Sequence, residues 1–331
     1  MSSRAVVFHA GALGDCVLAL HVVREILPRH ATHWVARSPV AKLAIGRSRV
    51  ATVTDLDGPG LHTLFIENGP LAPEVAGVLA GADVVVSFIG GPDSVVARRL
   101  GAATRSRVLA VDPKVRPETI AAPRHITTQW LADLDRPPLR EAAGRVPLLA
   151  LDCQAVEAGA RRWGPPTSGT RGRVLLHPGS GGKAKCWPLE RFEALARALR
   201  GNGWQVAWLI GPVEHDWFGD GLTRRLEATA PVFAGLELPE AAGLIATADV
   251  FVGNDSGTSH LAASLARPSV VLFGPTSPQL WRPLGPSVHV LAGGGGGDPF
   301  AGFTVSDARE TVARAARSHQ TPSESHQAAE R

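Results

Sequence analysis

In both halves of this 331-residue chain, short apolar runs alternate with stretches of helical periodicity, separated by turns rich in glycine, serine and asparagine. That alternation constrains the fold more than any other feature. A strand that returns parallel to the one before it needs a helical crossover, so repeated strand–turn–helix units predict parallel sheets covered by helices. In the first half the predicted strands are 4–9, 33–36, 83–88 and 107–111, with helices over 15–27, 71–81, 93–100 and 126–134. In the second half they are 173–177, 205–210, 249–252 and 269–273, with helices over 189–201, 216–228, 239–247, 258–266 and 306–317. Between the halves, Pro137-Pro138, Pro165-Pro166 and several glycines break the periodicity. So long an irregular stretch is unusual inside a compact domain. The chain therefore reads as a first domain 1–150, a linker 151–172, a second domain 173–305, a closing helix 306–317 and a disordered polar tail 318–331. Gly293 to Gly297 form a flexible loop. Two doubly wound sheets follow, and such sheets bind ligands at the carboxyl ends of their strands.

Composition narrows the function. The hydrophobic content of 44% and charged content of 19% suit two ordinary cores. The net charge of +4 is spread along the chain, so no basic arm points to nucleic acid. A mildly basic surface fits an anionic acceptor or membrane face, or merely an arginine-rich composition. Cys16, Cys153 and Cys186 have no paired spacing, which argues against a disulfide framework or a zinc site and fits a reducing cytosol. Met1 to His9 is too short for a signal peptide, and no apolar run reaches the roughly 20 residues of a bilayer span. The expectation is a cytoplasmic protein, at most peripheral at the inner face of the membrane.

Four strand-end segments carry candidate chemistry. The first is Gly11-Ala-Leu-Gly14-Asp15, where Asp15 is either a helix cap or a catalytic base. Its spacing is not that of a dinucleotide fingerprint. The second, His177-Pro-Gly-Ser180-Gly-Gly-Lys183-Ala-Lys185-Cys-Trp-Pro188, places two lysines and several backbone N–H groups before a helix. It is either a phosphate cradle or a solvated loop. The third, Gly253-Asn-Asp255-Ser256-Gly257-Thr258-Ser259-His260, puts small residues at a strand-to-helix turn, suited to a diphosphate. Asp255 would repel phosphate, so it holds a ribose or sugar hydroxyl or the loop itself; His260 is either packed or ligand-facing. The fourth, Phe273-Gly274-Pro275-Thr276, is a further turn that could wall a nucleotide pocket.

Taken in order, these segments together with Gly211-Pro-Val-Glu214 resemble glycosyltransferase family 9, the ADP-heptose:lipopolysaccharide heptosyltransferases. The resemblance implies a GT-B fold, two Rossmann-like α/β domains with an interdomain cleft, and a last helix crossing back to the first domain. It implies an inverting, metal-independent transfer of heptose from ADP-heptose to a glycan or lipopolysaccharide-type acceptor, with no cofactor. By the same resemblance Asp15 is the general base, Lys185 (or Lys183) contacts the donor phosphates and Glu214 contacts the nucleoside. Asp255, Gly257, Thr258, Ser259 and His260 hold the donor sugar and pyrophosphate. Gly14, Ser180, Ser256, Gly274, Pro275 and Thr276 complete the expected donor site. The chain departs from many relatives in having Gly293–Gly297 where they carry cysteines, and the middle of its first domain matches weakly. Because acceptor recognition belongs to that domain, sugar and acceptor stay open. Rival readings on the same plan are a nucleotide-sugar epimerase or hydrolase and a non-catalytic sugar-nucleotide-binding protein.

Overall fold

The computed structural model describes residues 3–37, 39–45, 49–140, 146–165, 169–219, 221–294 and 297–320. It divides into two units, 1–151 with 279–284, and 152–278 with 285–331. Each is built on a parallel sheet.

In the first unit the strands β1 (Arg4–His9), β2 (Ala31–Ala36), β3 (Val50–Thr54), β4 (Val84–Phe88) and β5 (Arg107–Ala110) lie in the order β3-β2-β1-β4-β5. All described pairings are parallel. The chain works outward from β1 to β3 and then returns to the other side of β1. The order therefore reverses beside β1, and its carboxyl end opens into the crevice where doubly wound sheets take ligands. Helix Leu13–Ile26 begins there, directly after the first glycine turn. It is buried on all sides from Cys16 to Val23.

In the second unit β6 (Arg173–His177), β7 (Gln205–Ile210), β8 (Val232–Ala234), β9 (Val250–Asn254), β10 (Ser269–Phe273) and β11 (Val288–Ala292) lie in the order β11-β10-β9-β6-β7-β8. Here the order reverses between β6 and β9, and the second and third candidate segments follow those two strands. Helix Leu189–Gly201 presents Leu189, Phe192, Leu195, Ala196 and Leu199 at helical spacing to the sheet. Trp187, Phe192 and Trp208 are fully buried beneath it, with successive ring centroids 5.1 and 6.4 Å apart. Burying each contributes about 1.5–3 kcal/mol.

Four sequence expectations are corrected. The span 151–172 holds a helix, Cys153–Trp163, capped by Asp152 and packed on helix Leu238–Ala246. It comes closest to that partner through a glycine. A Cβ on Gly159 would sit 2.1 Å from the Gly243 carbonyl, and one on Gly243 would sit 2.3 Å from the Ala155 carbonyl. The closing helix, Val305–Gln320, buries Ala308, Val312, Ala315 and Ala316 in the core of the second unit. The segment that joins the first unit is Gln279–Leu284 instead, where the Arg282 carbonyl lies 2.9 Å from His125 Nε2. The helix expected over 216–228 is two helices, Pro212–Phe218 and Leu222–Glu227, broken at Gly219, whose φ of 80° no helix accommodates. The expected tail from Ser318 is helical as far as Gln320, and 321–331 lie outside the described residues.

Gly243→Ala should therefore destabilise the second unit by about 1–3 kcal/mol, the usual cost of overpacking. Thermal unfolding checks this, and an unchanged melting temperature would contradict the packing described.

Candidate functional site

The carboxyl ends of β6, β7, β9 and β10 carry most of the expected donor-site residues. Their centre is Asn254, the last residue of β9, which is completely buried. Its Nδ2 donates to the carbonyls of Pro178 (2.8 Å) and Gly179 (3.2 Å), and its Oδ1 accepts from Trp187 N–H (2.9 Å). One side chain thus holds both ends of the lysine-bearing loop against β9. The next turn is tied down as well: Ser259 Oγ donates to the Asn254 carbonyl at 2.6 Å and Ser180 Oγ to the Asp255 carbonyl at 2.5 Å. Ser256 caps helix Gly257–Ser264 by accepting from Ser259 N–H. The first N–H groups of a helix have no partner within it, and here Gly257 and Thr258 supply them.

Lys185 and Asp255 form an ion pair at 3.0 Å, with Thr276 Oγ1 donating to the same Asp255 oxygen at 2.8 Å. Asp255 is buried, whereas the Lys185 side chain keeps 36% of its exposure. The lysine cancels a carboxylate that would otherwise repel an anion at this turn. Lys183 lies elsewhere, its Nζ donating to the Trp217 carbonyl at 3.3 Å. Gly274 has its Cβ position covered by Phe300, 2.4 Å from the ring, so it packs against protein. Pro275 is exposed, and His260 is buried in its helix.

Glu214 is at the third position of helix Pro212–Phe218 and 3% exposed. One oxygen accepts from Gly211 N–H at 2.6 Å, and the other lies 3.5 Å from His177 Nε2. A Cβ on Gly179 would stand 1.3 Å from that oxygen, so only glycine leaves room for it. Burial, aided by the Glu214 charge, pushes the Cys186 thiol up to about 11, which keeps it protonated and non-nucleophilic. Asn254 and His177 lie inside segments singled out from the sequence but received no role there. Their signal was a polar residue ending an apolar strand, which only the three-dimensional neighbours interpret.

In the first unit, Gly14 and Asp15 lie in the first turn of helix Leu13–Ile26, and Asp15 Oδ2 accepts from Ala12 N–H at 3.3 Å. Asp15 is half-buried. Beneath it His9 is 2% exposed, and a Cβ on Gly11 would come within 3.0 Å of both side chains. Burial lowers the His9 pKa to about 4, partly opposed by a hydrogen bond to the Asp15 backbone.

Residues 149–296 match the family model for glycosyltransferase family 9 (heptosyltransferase). The chain is 37% identical over 115 residues to lipooligosaccharide heptosyltransferase 2 of Haemophilus influenzae. It is 36% identical over 114 residues to lipopolysaccharide heptosyltransferase 2 of Salmonella typhimurium. Each alignment covers 33% of this chain and 33% of the relative, so the match spans about a third of the length of these curated relatives. Among solved structures, Escherichia coli ADP-heptose lipopolysaccharide heptosyltransferase II superposes with a TM-score of 0.71 at 19% identity. That match covers 96% of this chain and 100% of the other. A family 9 glycosyltransferase from Veillonella parvula gives 0.69 at 18% identity, over 96% and 99%. The resemblance read from the sequence is borne out over residues 149–296, and the superpositions bear out the two-domain Rossmann-like fold of the GT-B class.

Two predictions follow from this geometry. Asn254→Ala would leave the Trp187 N–H and two carbonyls without their partner, at about 1–3 kcal/mol for each buried group left unsatisfied. Thermal unfolding should show a loss of several degrees, and an unchanged melting temperature would contradict the assigned role. For His9 the unfolded ring takes up a proton below pH 6.5, while the folded ring does so only near 4. Stability is unaffected by this group above pH 6.5 and falls as the pH drops through that window. Urea unfolding at pH 7, 6 and 5 should show a smaller acid-side loss for His9→Phe than for the parent chain; equal losses would contradict the burial effect.

Proposed function

We propose, from the match of residues 149–296 to the family model of glycosyltransferase family 9 and from the geometry of the second unit, that the chain transfers a sugar from a nucleoside diphosphate donor. The donor is ADP-heptose, and the acceptor a glycan or lipopolysaccharide-type molecule. The relatives are lipooligosaccharide and lipopolysaccharide heptosyltransferases, and another solved structure of this fold is an Escherichia coli heptosyltransferase with ADP. Among the described residues no helix is long and apolar enough to cross a membrane. We place the protein in the cytoplasm, meeting its acceptor at the inner face of the membrane.

The observation that carries this reading is the Lys185–Asp255–Thr276 cluster beside the start of helix Gly257–Ser264. A diphosphate docked there meets two N–H groups, the positive end of the helix dipole and an ammonium. Those groups stabilise the charge that develops on the leaving diphosphate, and they perform that task without a metal ion. Glu214 takes the nucleoside side, and Asp255 with His260 the sugar side.

The reaction is a single displacement that inverts the anomeric carbon. The acceptor hydroxyl oxygen bonds to that carbon as the bond from carbon to phosphate oxygen breaks. The hydroxyl proton passes to the Asp15 carboxylate, and ADP departs. Asp15 is fixed for this work by the Ala12 N–H and by the room that Gly11 leaves.

Asp15→Asn keeps the size of the side chain but cannot accept the proton. Turnover, followed as ADP release in the presence of acceptor, should fall roughly 10²–10⁴-fold. ADP affinity should stay within about threefold of the parent, well under the tenfold that 1.4 kcal/mol would bring. Near-normal turnover would remove Asp15 from the role of base.

A further inference from the structure

We infer that His177, a residue of strand β6 rather than of any glycine turn, is a positioning residue that joins the two ends of the donor site. The inference rests on the donor-site reading above. His177 Nδ1 lies 2.9 Å from the Leu209 carbonyl, which can only accept, so Nδ1 carries the proton. Nε2 is left to face the donor site. It lies 3.1 Å from Thr258 Oγ1 and 3.5 Å from Glu214 Oε1. Nε2 and Thr258 Oγ1 therefore share a hydrogen bond, whichever of the two donates. The ring is itself buried against Phe251, with centroids 6.4 Å apart, so it has little freedom to turn.

Two consequences follow. Thr258 Oγ1 is held at the ring, so its reach toward a donor phosphate is fixed, beside its backbone N–H. Its side chain is pinned from below, which fixes the first turn of helix Gly257–Ser264 in the orientation that aims the N–H groups of Gly257 and Thr258 outward. The same nitrogen sits against the buried carboxylate of Glu214, whose other oxygen holds Gly211 N–H. One imidazole therefore sets the spacing between the diphosphate end of the site and its nucleoside end.

Isothermal titration of the full chain with ADP tests this through three variants. His177→Asn keeps a donor for the Leu209 carbonyl but has no hydrogen-bonding group at the depth of Nε2. His177→Gln restores one at that depth. Thr258→Val removes the hydroxyl and keeps the shape. A positioning role predicts roughly tenfold weaker binding for His177→Asn and for Thr258→Val, the size of one lost hydrogen bond. It predicts binding within about threefold of the parent for His177→Gln, and a His177→Asn/Thr258→Val double variant no weaker than either single change. Additive losses, or equal losses in the Asn and Gln variants, would overturn the inference. If the His177 variants do not fold, Thr258→Val decides alone, since parent-like ADP binding by it overturns the inference. A parent chain that binds ADP while all variants bind equally well removes His177 only. A parent chain that binds no nucleoside diphosphate removes the donor-site reading with it.

Discussion

One buried amide organises the second unit. Asn254 satisfies the carbonyls of Pro178 and Gly179 and the N–H of Trp187, and all three would otherwise be buried without partners. A carboxylate could not replace it, because an acceptor-only group cannot donate to two carbonyls. A leucine would fill the space and leave the loop untethered. Because the amide closes the loop at both ends, the residues between them are held in register with the turn that follows β9. That register brings Ser180 to the Asp255 carbonyl and Lys185 to the Asp255 side chain.

The electrostatics depend on this arrangement. A carboxylate beside a phosphate cradle looks like an error until its partners are counted. Lys185 and Thr276 both engage Asp255 Oδ2, so the turn presents a paired acid, not a repulsive one. The pair is lopsided, since the acid is buried and the lysine is partly exposed. In the proposed site the partly exposed ammonium meets an arriving diphosphate while it still neutralises the fixed acid.

Much of this was readable before any coordinates. Buried central strands announce themselves as apolar runs, and β1, β6, β7 and β10 fall on the expected residues. The strands that escaped, β3, β8 and β11, lie at or next to sheet edges, where half-exposed residues blur the apolar signal. Helix Cys153–Trp163 escaped because it lies between proline- and glycine-rich stretches that break the periodicity on either side. At the site, the glycine and serine turns were legible, and so were the lysines. Which lysine pairs with Asp255 was not, because that depends on which way a short helical turn points each side chain. Nor could the sequence assign His177 or Asn254. A histidine or asparagine closing a strand means nothing until the neighbouring strands supply Leu209, Thr258 and the Pro178–Gly179 carbonyls.

The central claim is that the Lys185–Asp255 turn and the start of helix Gly257–Ser264 receive a nucleoside diphosphate. A crystal structure of the chain grown with ADP tests it most directly. The account predicts diphosphate oxygens within hydrogen-bond distance of the Gly257 and Thr258 N–H groups, with Lys185 Nζ between them and Asp255. ADP bound at any other place on the second unit would contradict it.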